Sequence, residues 1–259
     1  MEGELVKTSA DGTVGELLLD RPEKLNALSP EGLAELIAAA AWFDARDEVK
    51  AVVVRGAAAE RAAGADLGRM GVGGDGTTAA IQEAVDLGRR MADAIAGMRA
   101  LTVAAIHGHC VGGGLVLAIA CDLRIAAEGT RFAIPEVDLG IPLAWSGIPR
   151  LVREIGPALT KDLVLTCRPF DTEEALQLRL LNRVVPEDEL QDEALAVARK
   201  LASQPAFALE LTKRHVDAVA EESGSTAQAF REWESLAAAF NDPESQAAMS
   251  SYLAARRRA

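Results

Sequence analysis

Three consecutive glycines, Gly112 to Gly114, stand between two apolar runs that could position them for chemistry. The run from Val103 to Ile106 is typical of a strand buried on both faces, and the run from Leu115 to Cys121 is typical of a buried helix. A helix that begins at glycines leaves unpaired N–H groups that a ligand can approach. The sequence therefore predicts a site for a negatively charged oxygen at this helix start.

The residues around these glycines narrow the kind of anion. A phosphate loop of the Walker type requires Gly-Lys-Ser/Thr at the helix start, where this chain has Leu115 and Val116. A dinucleotide fingerprint requires a glycine spacing that Gly108 and Gly112 do not give. The arrangement favours an oxyanion hole, in which a backbone N–H stabilises charge that develops on a carbonyl oxygen. The alternative is that the glycines only let a buried helix pack closely against a strand.

The composition indicates a globular protein that does not bind nucleic acid. The 259 residues are 49% hydrophobic and 25% charged, with a formal net charge of -12. Nucleic-acid binding needs a basic surface, which this balance does not supply. An anionic substrate would have to be held by local groups against an unfavourable overall field. The length suits one sizeable core, or a core with a small appendage.

Cysteine usage and the distribution of apolar residues predict the compartment. Cys110, Cys121 and Cys167 lie far apart in apolar sequence, which favours reduced thiols in a cytoplasmic protein. The first residues show no basic and apolar leader, so we expect no signal peptide. The apolar segments are too short or too interrupted to span a bilayer, and we expect no membrane partner.

Strand and helix patterns alternate along most of the chain, which predicts an α/β fold. In chain order we expect a hairpin over residues 4–19 with a turn at Asp11-Gly12, a helix from Pro30 to about Arg46, a strand from Val49 to Val54, an amphipathic helix from Thr77 to Met98, the strand and helix that flank the glycines, strands at Asp122–Ala126 and near Phe132, short helices near 148–155 and 158–166, a strand at Asn182–Val185 and a helix from Pro186 to Ala202. Segments 206–222, 225–239 and 243–257 look helical but have too few apolar residues to form a core alone. They should pack on the main body or on another subunit.

Four motifs follow one another at characteristic distances. They are Arg21-Pro22-Glu23-Lys24-Leu25-Asn26-Ala27-Leu28, Ala63-Gly64-Ala65-Asp66-Leu67, Gly108-x-x-x-Gly112-Gly113-Gly114 and Phe132-x-x-Pro135-Glu136-x-x-Leu139-Gly140. Their order and spacing resemble the crotonase superfamily, the enoyl-CoA hydratase/isomerase family, from about residue 4 to about residue 215. The resemblance implies a crotonase-like spiral of β-β-α units over residues 1–203 and a C-terminal helical region over residues 204–259. It also implies a homotrimer or a dimer of trimers.

The same resemblance implies an acyl-CoA thioester as substrate, with coenzyme A as part of it and no further cofactor. The thioester carbonyl would accept hydrogen bonds from the backbone N–H groups of Ala65 and Gly113, donors that are fixed before the charge develops. Glu136 matches a catalytic glutamate that exchanges a proton with an acyl carbon, and apolar neighbours would raise its pKa. The other substrate-binding residues expected on this basis are Lys24, Leu25, Ala63, Asp66 and Gly112. The alternatives are that Asp66 is a solvated loop carboxylate and Glu136 a surface turn residue.

One position departs from the family pattern in a way that bears on the reaction. Hydratases with two glutamates carry the first one two residues beyond the glycine triplet, and this chain has Val116 there. Valine cannot activate water, whereas one carboxylate suffices to move a proton between two carbons of a bound enolate. The sequence therefore leaves three hypotheses: hydration by Glu136 alone or with a substitute base, isomerisation of 3-enoyl-CoA to 2-enoyl-CoA, and acyl-CoA binding without turnover.

Four further residues bear on the chemistry or shape of the site. His109 is a candidate substitute base because it titrates near neutral pH, and a structural histidine is the alternative. No further ligand cluster accompanies His107 and His109, so we expect no metal site. Trp145 and Leu143 would shrink or reshape the acyl pocket if they face it.

Overall fold

The computed structural model describes residues 1, 3–57, 78–227 and 229–256. Within these ranges the chain forms a six-stranded sheet in the order β1-β2-β3-β4-β6-β9 and a three-stranded sheet in the order β5-β7-β8. The strands are β1 (Val6–Asp11), β2 (Val14–Leu19), β3 (Ala51–Gly56), β4 (Leu101–Ile106), β5 (His109–Val111), β6 (Leu123–Ala127), β7 (Arg131–Ala133), β8 (Phe170–Asp171) and β9 (Arg183–Val185). In the larger sheet, β1 runs antiparallel to β2 and the other neighbours are parallel.

The helices lie between and after these strands. They are α1 (Pro30–Asp44), α2 (Thr78–Ala96), α3 (Gly113–Ala120), α4 (Gly147–Thr166), α5 (Thr172–Gln177), α6 (Leu190–Ala202), α7 (Ala206–Ser223), α8 (Glu232–Asn241) and α9 (Pro243–Arg256). Helix α1 begins as expected, with Pro30 in its first turn and the Ser29 side chain accepting a hydrogen bond from the Gly32 N–H. The predicted α/β fold of strand and helix units is confirmed.

The central strands β3, β4 and β6 of the larger sheet are buried on both faces, which explains their continuous apolar runs. Side chains alternate between faces along a strand. Val52 and Val54 of β3 pack in the cluster that contains α1, α2 and α3, whereas Ala51 and Val53 pack in the cluster formed with α6. The hydrophobic periodicity of such strands does not distinguish them from buried helices, so their length and flanking turns are the more informative signals in a sequence.

Several element boundaries differ from the sequence expectation. The two helices expected near 148–155 and 158–166 are confirmed as the two halves of α4, which are separated by the non-helical backbone of Gly156 (φ 78°) before Pro157. Other boundaries do differ. A short 3-10 turn at Glu187–Glu189 precedes α6, so that helix starts at Leu190 and not at Pro186. The helix expected over 225–239 begins later than predicted, since α8 starts at Glu232 after a 3-10 turn. These ends depend on local caps that periodicity does not reveal.

The C-terminal helices do not all pack in the same way. Helix α8 packs on α2 and α9, and the turn at Gly140 approaches α9 so closely that a Cβ at this glycine would overlap the Ser245 backbone. Helix α7 instead exposes large apolar side chains, among them Phe207 at 78%. None of the helices in the described ranges is long and apolar enough to cross a membrane. The boundary predicted between residues 203 and 204 stays a prediction.

Candidate active site

The register of the small sheet brings the glycine triplet and Glu136 together. Val111 of β5 is paired with Ala133 of β7, and the Gly112 N–H donates to the Ala133 carbonyl over 2.9 Å. Glu136 lies three residues beyond Ala133, in a turn where its carbonyl accepts from the Ile141 N–H over 2.9 Å. Gly112 has φ 50° and ψ -118°, and a Cβ there would overlap Glu136 Oε1. Only glycine fits beside this carboxylate.

The Glu136 carboxyl group lies in an apolar environment. Its Oε2 atom is inaccessible to solvent and has no hydrogen-bond partner in the part of the chain that the structure describes. Burial raises the pKa of Glu136 from its ordinary value of 4.5 to about 7, because loss of water disfavours the charged form. A carboxyl group with a pKa near neutrality can both accept and donate a proton at physiological pH. Its predicted role in proton transfer is compatible with this environment and stays a prediction.

The start of α3 contains one of the two predicted oxyanion donors. Helix α3 begins at Gly113, and its first N–H groups have no acceptor within the helix. Gly112 at the cap position has no side chain that could accept from them. Gly113 is buried and lines a cavity together with Glu136. One predicted oxyanion donor therefore lies beside the predicted acid/base, while the other, Ala65, lies outside the described residues.

The cavity at Glu136 is small and apolar. Its volume is about 70 Å³, where a single water molecule needs roughly 10–15 Å³. Among the described residues that line it, Glu136 is the only one with a titratable side chain. These residues are Ile81, Ala84, Val85, Gly113, Val116, Glu136, Ile141, Pro142, Leu143, Ala144, Trp145, Leu236 and Phe240.

Val116 and Leu143 form part of the apolar wall. Val116 is 1% exposed and faces the same cavity as Glu136. A Cβ at Gly147 would lie 3.0 Å from Val116 Cγ2 and 2.8 Å from Leu143 Cδ2, so these side chains pack tightly against the start of α4. The position at which two-glutamate hydratases carry a carboxylate is therefore filled by a close-packed hydrocarbon.

Trp145 faces the cavity, as the sequence hypothesis required. Its ring lies between two glycines, and a Cβ at either Gly88 of α2 or Gly113 of α3 would overlap it. Trp145 and Ser146 have φ values of 62° and 60°, a left-handed backbone conformation that residues other than glycine rarely adopt. The surrounding structure must hold this turn in place.

Two of the residues expected to bind coenzyme A lie apart from the cavity, and two lie outside the residues that the structure describes. Lys24 is exposed at the end of a 3-10 turn, and Leu25 follows it with φ 56°. Neither contributes to the wall of the described cavity. Ala63 and Asp66 lie outside the described residues, so their predicted roles stay predictions.

Asn26 is a buried residue that links two loops and that was not among the predicted site residues. Its Oδ1 accepts from the Arg21 N–H over 2.8 Å, and its Nδ2 donates to the Ala57 carbonyl over 3.1 Å. Asn26 thereby ties the loop after β2 to the end of β3, from which the chain continues towards Ala65. Asn26 has φ 54°, and the only signal in the sequence is its residue type, since asparagine tolerates the left-handed region better than most residues.

The histidines do not join the candidate site. His109 is exposed on β5, opposite Arg131 of β7, and does not line the described cavity. His107, which directly follows β4, is 9% exposed. Within the described ranges, no group of three or more His, Cys, Asp or Glu side chains could hold a metal ion.

Helix α8 contributes residues that local patterns did not single out. Leu236 and Phe240 line the cavity, and Glu232 one turn earlier accepts a hydrogen bond from the Ser146 N–H over 2.9 Å. Their spacing of i, i+4 and i+8 places the three on one face of the helix. The spacing can be read from the sequence, but the sequence does not show that this face of α8 packs against the cavity and the Ser146 turn.

Comparisons with known proteins agree with this architecture. The family model described as enoyl-CoA hydratase/isomerase matches residues 9–258. A short-chain-enoyl-CoA hydratase of Clostridium acetobutylicum is 31% identical over 258 residues, covering 99% of this chain and 97% of that protein. A probable enoyl-CoA hydratase of Mycobacterium bovis is 36% identical over 223 residues, covering 86% of this chain and 85% of that protein. The crystal structure of a probable enoyl-CoA hydratase from Mycobacterium thermoresistibile superposes with a TM-score of 0.82 at 30% identity, covering 96% of this chain and all of that one.

Proposed function

The chain belongs to the enoyl-CoA hydratase/isomerase family, and we propose that it isomerises 3-enoyl-CoA to 2-enoyl-CoA thioesters. One observation carries this proposal. Among the described residues, a single titratable side chain, Glu136, lines a cavity in which Val116 and its neighbours are apolar. A double-bond shift needs one group that takes and returns a proton, whereas hydration also needs a base to activate water.

The proposed reaction uses the backbone to hold charge and Glu136 to move the proton. The thioester oxygen accepts from the Gly113 N–H and, by family resemblance, from the Ala65 N–H. The Glu136 carboxylate removes a proton from carbon 2, and the electrons of that C–H bond form a dienolate with the negative charge on the thioester oxygen. The dienolate collapses as carbon 4 takes the same proton from Glu136. The double bond has then moved from carbons 3 and 4 to carbons 2 and 3.

Hydration is the second candidate function, favoured by the names of the relatives. Proteins 31% and 36% identical to this chain are named enoyl-CoA hydratases. With Val116 in place of a carboxylate, Glu136 would have to activate the water and protonate carbon 2 alone. We therefore expect hydration to be the slower reaction.

The experiment compares the two reactions on wild type and Glu136→Gln. Wild type should isomerise a 3-enoyl-CoA faster than it hydrates crotonyl-CoA, and Glu136→Gln should lower isomerisation by ~10²–10⁴-fold while still binding the thioester in calorimetry. Asp138→Asn is the control, since Asp138 is exposed two residues beyond Glu136 in the same turn. Undiminished turnover in Glu136→Gln would remove Glu136 from the mechanism, and tight binding with no turnover by wild type would favour an acyl-CoA carrier.

The assembly and cellular setting are also part of the proposal. We infer a homotrimer or dimer of trimers, supported by the exposed apolar side chains of α7: Phe207, Val216 and Val219. We place the protein in the cytoplasm, supported by the buried free thiols of Cys110, Cys121 and Cys167. Coenzyme A would enter as part of the substrate, with no further cofactor.

A further inference from the structure

The Trp145–Ser146 turn is held from two sides by charged groups. The Ser146 N–H donates to Glu232 Oε2 over 2.9 Å, and the Ser146 carbonyl accepts from Arg150 Nη1 over 3.4 Å. Arg150, which is 6% exposed, in turn pairs with Asp93 of α2 over 3.0 Å. The backbone of this left-handed turn is thus fixed by α8 on one side and by α4 and α2 on the other.

Glu232 is positioned for this contact by a charged environment that is only partly open to solvent. Burial raises the pKa of Glu232, while its hydrogen bond from Ser146 and the nearby Arg150 lower it. Arg89 and Asp93 of α2 act on it in opposite directions, the first lowering and the second raising its pKa. Charge-assisted hydrogen bonds of this kind are stronger than neutral ones.

The residue that this turn carries closes one side of the acyl cavity. Trp145 is 6% exposed and lies against Gly113, the predicted oxyanion donor. Leu236 and Phe240 close another side from the same face of α8 that presents Glu232. A shift of α8 relative to α2 would therefore move both the wall formed by Trp145 and the wall formed by Leu236 and Phe240.

We propose that Glu232 is a positioning residue that sets the acyl-chain selectivity of this enzyme, by holding the Ser146 N–H and so keeping Trp145 against Gly113. This inference rests on the proposed function, because it takes the cavity to be the acyl site. With Trp145 in place, the cavity of about 70 Å³ accepts a short acyl group. Without the contact, the strained turn relaxes, the ring leaves the cavity, and longer chains fit.

The test measures binding of butyryl-CoA and decanoyl-CoA, saturated esters that do not turn over, to the purified assembly by calorimetry. Wild type should prefer butyryl-CoA. Glu232→Ala should shift the ratio of the two dissociation constants at least tenfold towards decanoyl-CoA, and Glu232→Gln, which keeps an acceptor oxygen, should shift it less. Glu234→Ala is the matched control, because Glu234 is exposed on the same helix and pairs with Arg231 over 3.0 Å; it should leave the ratio unchanged.

A second set of variants separates positioning from a general structural role. In a Trp145→Ala background, Glu232→Ala should leave the ratio within twofold, because the wall it controls is already gone. If Glu232→Ala does not fold, Glu232→Asp, whose carboxylate is one methylene shorter, is judged by the same criteria.

The outcomes distinguish this inference from the proposed function. Equal weakening of both esters, or an undiminished shift in the Trp145→Ala background, would overturn the positioning role while leaving the proposed function intact. A wild type that binds neither ester would contradict the proposed function itself.

Discussion

Two turns follow β7, and each places one side chain against one of two successive glycines. The first turn sets Glu136 against Gly112, and the second sets Trp145 against Gly113. The first is positioned by the register of β5 and β7 and by hydrogen bonds within the turn, and its Gly140 also packs against Ser245 of α9. The second has left-handed backbone at two residues with side chains and is held by Glu232, 86 residues further along the chain.

On the proposed mechanism, the first turn carries the residue for proton transfer and the second turn carries the residue for acyl-chain selectivity. Glu136, the proposed proton-transferring residue, lies two residues beyond Ile134, which packs in the core. Trp145, which is proposed to limit the acyl chain, depends on the hydrogen bond from its neighbour Ser146 to Glu232 of the C-terminal region. A family that keeps one fold can in this way change substrates while retaining its acid/base.

The largest expected effect distinguishes the two glycines directly. Gly112→Ala should lower isomerisation by ~10²-fold, since its Cβ displaces the carboxylate by about 1 Å or more, and the positive φ should add about 1–3 kcal/mol of instability. Gly113→Ala should instead displace Trp145, with a smaller loss of rate and a changed preference for chain length. Steady-state kinetics with two chain lengths measures both, and identical profiles for the two variants would break the distinction between the turns.

The pH dependence of the rate tests the role of the Glu136 carboxyl group independently of Trp145. Its pKa is raised to about 7, so the carboxyl is mostly protonated below that pH and cannot take a proton from carbon 2. The value of kcat/KM should therefore rise about tenfold per pH unit up to neutrality and then level off. Asp138→Asn should show the same profile. A rate independent of pH between about 5 and 7 would contradict Glu136 as the base.

Val116→Glu examines whether the apolar wall decides the reaction. A carboxylate there restores the second glutamate of the family pattern, and crotonyl-CoA hydration should rise by at least ~10-fold. Val116→Gln, which matches the shape without an ionisable group, should not show the gain. If both variants hydrate equally poorly, the difference from hydratases lies elsewhere in the cavity.

The smallest expected effect concerns strain in the second turn. Ser146 is fully buried, its Oγ has no partner within the described part of the chain, and its φ is 60°. Ser146→Gly removes both costs and should raise the free energy of unfolding by about 1 kcal/mol. Ser146→Ala removes only the hydroxyl and should gain less, as chemical denaturation can measure. A loss of stability in Ser146→Gly would show that the turn is not strained.

The sequence revealed the first turn far better than the second. The buried strands, the glycine triplet and the spacing to Glu136 are local features, and the motif that contains Glu136 indicated its place in the site. Trp145 and Ser146 carry no local signal for left-handed backbone, because neither residue type prefers it. The contact with Glu232 depends on how α8 is seated on α2, which no short-range pattern encodes.

The most direct test of the central claim follows one proton. A 3-enoyl-CoA carrying deuterium at carbon 2 is incubated with wild type in ordinary water, and the product is analysed by mass spectrometry early in the reaction. If Glu136 alone moves the proton between two carbons, 2-enoyl-CoA should form with part of the deuterium at carbon 4. A product without deuterium at carbon 4, accompanied by 3-hydroxyacyl-CoA as the main species, would contradict the account.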